Sequence, residues 1–118
     1  MVYADTDFFL ALMKQTDWLK ERAKKIYADY SGDIQTSIVT FIELMLIAKR
    51  FNLDTIKLTS SVMKICKFDD QIPLKAALYI EEGISVFDAF HAALCGGEII
   101  SSDHIFDELG IKRIKIED

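Results

Sequence analysis

Four acidic residues stand out in this sequence because each one lies in or directly after an apolar stretch. Asp5 and Asp103 follow short apolar runs, whereas Glu43 and Asp88 interrupt segments that are otherwise apolar. A carboxylate that faces a protein core is costly unless it is paired or coordinates a metal. Oxygen ligands without histidine or cysteine suit Mg²⁺ or Mn²⁺ and not zinc. The four acids together therefore predict a magnesium or manganese site.

Each acid also has a purely structural interpretation. Asp5 could belong to a turn or cap a helix, and Asp103 could cap the short helix that follows it. Thr40 to Glu43 matches a capping box, although it would lie inside a predicted helix, and Ser85 to Asp88 matches another. For each residue both interpretations stay open, and only the joint placement of the four favours a site.

Strand-like and helix-like segments alternate along the chain. Strands are predicted at Val2–Ala4, Asp33–Ser37, Glu98–Ser102 and Ile111–Ile116. The first helix is predicted to follow Asp5, with Thr6 or Asp7 as its cap. Another helix is predicted to begin at Asp54 or Thr55 and to run through Lys67. The remaining helices are predicted at Trp18–Tyr30, Ile38–Phe51, Leu74–Glu82, Val86–Cys95 and His104–Leu109.

This alternation predicts a single α/β domain over residues 1–118, a three-layer α/β/α sandwich with a mainly parallel central sheet. Ligands of such folds bind beyond the carboxyl ends of the strands, where Asp5 and Asp103 fall. The second helix is expected to place its apolar residues roughly on one face, namely Trp18, Leu19, Ala23, Ile26, Tyr27 and Tyr30.

Composition limits the possible partners and the location of the chain. The net charge of −5 argues against a nucleic-acid partner, but four acids at a metal site would leave only −1 for the rest. The longest apolar stretch, Ile38–Ala48, is too short to cross a membrane. Asp5 and Asp7 stand where a secretory signal would be apolar, so we expect a cytoplasmic protein. Cys66 and Cys95 have no metal-binding spacing and are expected to be free thiols.

Cations near the acids would be needed to hold a phosphate backbone. The first two predicted helices and the end of the third carry Lys14, Lys20, Arg22, Lys24, Lys25, Lys49 and Arg50. Either these residues contact nucleic acid or they form ordinary solvated helix faces.

Five stretches of the sequence carry a family resemblance: Val2-Tyr3-Ala4-Asp5-Thr6-Asp7, Thr36 to Leu44, Phe87-Asp88-Ala89-Phe90-His91-Ala92-Ala93-Leu94, Ile99-Ile100-Ser101-Ser102-Asp103, and Phe106 to Ile111. In this order they resemble the PIN-domain nucleases, and most of all the small VapC-type toxin ribonucleases. The resemblance covers nearly the whole chain, although Phe51 to Ile84 matches only in helical character. His104 departs from the family, which usually has a charged or small polar residue there.

The resemblance implies an acidic quartet of Asp5, Glu43, Asp88 and Asp103, with Thr6 and Ser101 as neighbouring hydroxyls. It implies a Mg²⁺- or Mn²⁺-dependent endoribonuclease that is the toxin of a toxin–antitoxin pair. Asp5, Asp88 and Asp103 would mainly bind the metal.

 Glu43 would bind it through water or position the nucleophile. One or two ions would polarise the scissile phosphate of an RNA substrate.

As a toxin, the chain would also have an antitoxin protein as its inhibitor. An apolar surface on the early helices, formed by Phe8, Phe9, Leu12 and Trp18, is expected to serve that contact or to form a homodimer. No membrane partner is expected.

Three other classes of protein share some of these sequence features. Asp5-Thr6-Asp7 resembles the start of haloacid-dehalogenase-type phosphatases, but Phe9 stands where they need Thr or Val. A phospho-accepting receiver domain would need its aspartate on a central strand, and Asp103 comes too late in the chain. The third alternative is a non-catalytic PIN-fold module that binds RNA or protein. No glycine-rich phosphate loop is present, and His91 is expected to be a structural helical residue.

Overall fold

The structure is a computed structural model that describes all 118 residues. Short strands and helices alternate along it, as predicted for an α/β domain. The strands are β1 (Val2–Tyr3), β2 (Ile34–Gln35), β3 (Glu98–Ile100) and β4 (Lys112–Ile114). The helices are α1 (Thr6–Met13), α2 (Lys20–Tyr30), α3 (Ile38–Arg50), α4 (Thr55–Cys66), α5 (Ile72–Glu81), α6 (Val86–Leu94) and α7 (Ile105–Glu108).

The strands form two separate parallel pairs. β1 pairs with β2, with Val2 opposite Ile34, and β3 pairs with β4, with Ile99 opposite Arg113. The parallel direction agrees with the prediction, but the strands are only two or three residues long and contribute few ladder hydrogen bonds. A three-layer sandwich would require the two pairs to join edge to edge, and here each sheet has two strands.

The molecule is elongated, and its two strand pairs are separate. The radius of gyration is 16.3 Å and the extents are 56 × 29 × 17 Å. A closely packed chain of this length has a radius of gyration of about 13 Å. The structure is therefore long and flat, and its stability depends mainly on how the helices pack.

The main core lies among helices α3 to α6. It contains Phe41, Leu44 and Met45 from α3, together with small residues of α5 and α6 that let these helices approach closely. Phe41 is fully buried, and its ring meets Phe68 edge-on at 5.0 Å between centroids. A second, smaller cluster of Ala92, Phe106 and Ile111 joins α6 to the C-terminal strand pair.

Helix α2 buries only part of the apolar face expected from the sequence. Only Ala23 is buried, whereas Trp18 is 90% exposed and Tyr30 is also exposed. The helix begins at Lys20 and is rich in charged residues, so its single apolar stripe is narrow and faces α1. Leu19, Ala23 and Ile26 of the expected face lie beside α1, whereas its three aromatic residues, Trp18, Tyr27 and Tyr30, remain exposed.

None of the helices has both the length and the apolar character that crossing a bilayer requires.

Candidate functional site

Asp5 lies where β1 ends and α1 begins. The backbone of β1 is fixed against β2, because Ala4 N–H donates to the Gln35 carbonyl at 2.8 Å. Asp5 then adopts an extended conformation, and its Oδ1 accepts from the Thr6 backbone N–H at 2.6 Å. Asp5 itself is therefore the cap of α1, in place of Thr6 or Asp7. Its carboxylate is exposed to solvent at the carboxyl end of the strand.

Glu43 is joined to this strand end through a threonine. The Thr6 hydroxyl, on a residue only 5% exposed, donates to Glu43 Oε1 at 2.8 Å. This hydrogen bond links α1 to α3 across 37 residues of sequence. The position of Thr6 agrees with the hydroxyl expected beside the acids, and Thr6 fixes the orientation of one Glu43 oxygen.

The expectation that Glu43 faces the core was wrong, because Glu43 is exposed. Helix α3 buries Phe41, Leu44 and Met45, and their spacing turns Glu43 toward solvent. An apolar flank on either side of an acid does not show which face of the helix the acid occupies. Asp88 differs, because it is half-buried in the first turn of α6.

Asp88 is held by a serine at the start of its helix. The Ser85 hydroxyl donates to Asp88 Oδ2 at 2.9 Å, and the Ser85 side chain makes no capping hydrogen bond to the backbone. The predicted capping box is thus only partly formed. One Asp88 oxygen remains available for another partner.

Asp103 lies in the loop between β3 and α7. Its Oδ1 accepts from the Ile105 N–H at 3.0 Å, and its own N–H donates to Ser101 Oγ at 3.0 Å. Asp103 therefore supports the start of the short helix, as one interpretation of the sequence predicted. The side chain is exposed, so its second oxygen faces solvent.

Asp88 and Asp103 line one cavity of about 340 Å³. Ser101 and His91 line the same cavity, and Ile99, Ile100 and Phe106 form its apolar part. The sequence did not single out His91 as a site residue. Its exposure on α6, one turn after Asp88, places an imidazole beside the acids.

The structure thus arranges the predicted acids as two pairs. Asp5 and Glu43 are linked through Thr6, and Asp88 and Asp103 share a cavity. No three histidine, cysteine, aspartate or glutamate side chains form a group able to hold a metal. The donors themselves fit a hard divalent cation, because each pair offers carboxylate oxygens next to a hydroxyl and no soft ligand.

A tyrosine hydroxyl lies beside the end of β1. The Tyr3 hydroxyl and Ser37 Oγ are 2.7 Å apart, and this hydrogen bond lowers the pKa of Tyr3. Tyr3 is 59% exposed, so a hydrogen-bonded aromatic ring borders the strand end that carries Asp5.

Arg113 was missed by the sequence reasoning. It lies on β4, and its side chain is only 7% exposed because it is surrounded by acceptors from α7 and the C-terminal segment. The Glu117 carboxylate raises the pKa of Arg113, and Arg113 in turn lowers the pKa of Glu117. The available signal was the spacing between the buried Ile111 and Arg113, because residues two positions apart in an extended chain point to the same side.

The expected phosphate-binding cations are mostly exposed. Arg22, Lys24 and Lys25 project from α2, and Lys24 forms a loose ion pair with Glu21 at 3.6 Å. Lys20 is engaged by the protein itself, because its Nζ donates to the carbonyl of Leu12 at 3.2 Å.

The sequence profile of one known family, described as the PIN domain, matches residues 2–112. The chain belongs to the PIN domain family. PIN domains are generally nucleases and typically use Mg²⁺ or Mn²⁺, so membership supports a hydrolase that binds nucleic acid. No curated protein and no solved structure matches the chain at a significant level.

Proposed function

We propose that this PIN domain, formed by residues 1–118 as one unit, is a metal-dependent endoribonuclease that hydrolyses RNA phosphodiester bonds. The observation that carries the proposal is the presence of two carboxylate pairs, each beside a hydroxyl, in a chain whose family consists mainly of nucleases. All the acids lie at the start of a helix or the end of a strand, except Glu43, which Thr6 orients.

Asp5, Asp88 and Asp103 would hold Mg²⁺ or Mn²⁺, since each has a carboxylate oxygen free of protein partners. When bound, a divalent cation supplies electrostatic stabilisation of the charge that develops on the scissile phosphate. Glu43 would orient the attacking water and accept its proton, while Thr6 holds the carboxylate in one rotamer.

We also propose that the two strand pairs join into one sheet, with β1 beside β3, in the working enzyme. Isolated two-stranded sheets are only marginally stable, and parallel sheets are normally covered on both faces. The two strands leave Tyr3 and Ile100 exposed, at 59% and 68%. Pairing would cover both residues and bring Asp5 and Asp103, which follow these strands, to the same edge.

Spin labels on the outer strands test this arrangement. In the joined sheet, Gln35 on β2 and Lys112 on β4 would lie three strand spacings apart, or about 15 Å. Labels at these positions are expected to show dipolar broadening in the presence of Mg²⁺ and substrate. Spectra without broadening under those conditions would refute the joined sheet. They would not bear on the nuclease proposal, which RNA cleavage tests separately.

The nuclease proposal is tested by cleavage of single-stranded and structured RNA with Mg²⁺ or Mn²⁺. Asp103→Asn and Glu43→Gln are expected to abolish cleavage while circular dichroism shows an unchanged fold. Glu82→Gln and Asp69→Asn are matched controls, because both acids are exposed and neither side chain has a polar partner. Wild type that cuts no RNA and binds no divalent ion would favour the alternative, a non-catalytic module.

We propose further that the enzyme is the toxin of a toxin–antitoxin pair. This proposal rests on the resemblance of the sequence to the VapC-type toxins. The apolar surface assigned to the early helices needs correction, since Phe9 is fully buried and Phe8 and Leu12 are half-buried. Trp18 is the exposed member and would contact the antitoxin or a second copy. Trp18→Ala is expected to lower the mass in solution or abolish antitoxin binding, and no change in either would exclude this surface.

A further inference from the structure

The side chain of Arg113 connects three segments at the C-terminal strand pair. Its Nη1 donates to the Ser101 carbonyl at 2.8 Å, and its Nε donates to Asp107 Oδ2 at 3.0 Å. Nη1 also lies 2.9 Å from both carboxylate oxygens of Glu117. Only 7% of this side chain is exposed, so the guanidinium makes these contacts largely out of contact with water.

Two of these contacts lie at the two ends of the loop that carries Asp103. Ser101 is the first residue after β3, and Asp107 lies in α7. Within the loop, Asp103 is held only by local hydrogen bonds, one to Ser101 and one to Ile105. The direction of the Asp103 carboxylate therefore depends on how far apart Ser101 and α7 are held.

We propose that Arg113 is a positioning residue that holds both ends of this loop and thereby sets the direction in which Asp103 presents its carboxylate. The inference rests on the proposed function, in which Asp103 binds the metal. Residues that orient a metal ligand without touching the metal commonly change metal affinity about 10- to 100-fold when they are replaced.

The geometry of arginine is needed for this task. A planar guanidinium directs Nε and Nη1 to two different acceptors at once, whereas a lysine ammonium is a single point on a flexible chain. Glu117 binds Nη1, the same nitrogen that donates to Ser101, and the opposite pKa shifts of Arg113 and Glu117 agree with a tight charge pair.

The first experiment measures Mn²⁺ binding by electron paramagnetic resonance, without substrate. Arg113→Lys keeps the positive charge but loses the planar group that donates to two acceptors at once. The Kd of this variant for Mn²⁺ is expected to rise about tenfold. Lys112→Gln is the matched control, because it removes a cation on the same strand that pairs with Glu98, away from the loop. Equal Kd values for wild type and Arg113→Lys would overturn the proposal.

The second experiment follows amide hydrogen exchange in the metal-free protein. The amides of Asp103 and Ile105 are expected to exchange about tenfold faster in Arg113→Lys, with helix α5 unchanged. Unchanged exchange at both amides would overturn the positioning role. If wild type binds no Mn²⁺, the proposed function fails and the exchange rates still decide the role of Arg113. If Arg113→Lys does not fold, Asp107→Asn provides the comparison, because it weakens the contact between Arg113 Nε and α7 while Arg113 itself is kept.

Discussion

The hydrogen bond from Thr6 to Glu43 allows a quantitative test of the candidate site. Thr6→Val removes the hydroxyl and keeps the shape of the side chain. A hydrogen bond to a charged acceptor contributes roughly 1.5–3 kcal/mol. Glu43 is exposed and can recover water, so we expect the free energy of unfolding to fall by only about 1 kcal/mol. For a chain of this size that corresponds to a loss of about 4 °C in Tm.

Thr59 provides the control for this substitution. Its hydroxyl is fully buried and has no hydrogen-bond partner. Burying an unpaired hydroxyl costs about 1–3 kcal/mol, so Thr59→Val is expected to stabilise the protein by about 1 kcal/mol. The same chemical change should therefore shift stability in opposite directions at the two positions, which urea unfolding followed by circular dichroism will measure.

The same pair of variants separates stability from catalysis. Thr6→Val is expected to lower the cleavage rate about tenfold, because the nucleophile-positioning carboxylate loses its fixed rotamer. Thr6→Ser retains the hydroxyl and should restore most of that rate, and Thr59→Val should leave it unchanged. Equal stability changes in Thr6→Val and Thr59→Val would refute the assigned hydrogen bond. Full activity in Thr6→Val would refute the role of Thr6 in orienting Glu43.

Three further predictions concern groups away from the acids. Phe41→Ala, which empties a fully buried ring site, is expected to lower the free energy of unfolding by about 3–5 kcal/mol, measured by denaturant titration. Burial raises the pKa of Cys66 to about 11 from 9.0. Alkylation of Cys66 by iodoacetamide at pH 8 should thus be about 100-fold slower than in the unfolded chain, and equal rates would contradict the shift. Arg113 lowers the pKa of Glu117 below 4.5, so this pair stabilises the fold above that pH and is lost as pH falls through the lowered value. Stability of wild type should accordingly fall more steeply with acidification than that of Glu117→Gln, and parallel curves would count against the pair.

Local patterns predicted the elements well and the contacts between them poorly. The apolar periods of α3 and α6 and the strand ends before Asp5 and Asp103 agree with the structure to within a few residues. These features depend on neighbours a few positions apart along the chain, which a sequence displays directly. The burial of Glu43 was mispredicted, because the side of α3 that faces the core depends on which helices pack against it.

The sequence by itself determined the alternation of strands and helices, the four acids in family order and membership of the PIN domain family. Only the tertiary structure decided that Thr6 donates to Glu43, that Asp88 and Asp103 share a cavity, and that the strands form two parallel pairs. Arg113 shows the reason most clearly. Its acceptors on Ser101 and Asp107 lie 12 and 6 positions away along the chain. Such contacts form only when the chain folds, so residue type and local spacing do not reveal them.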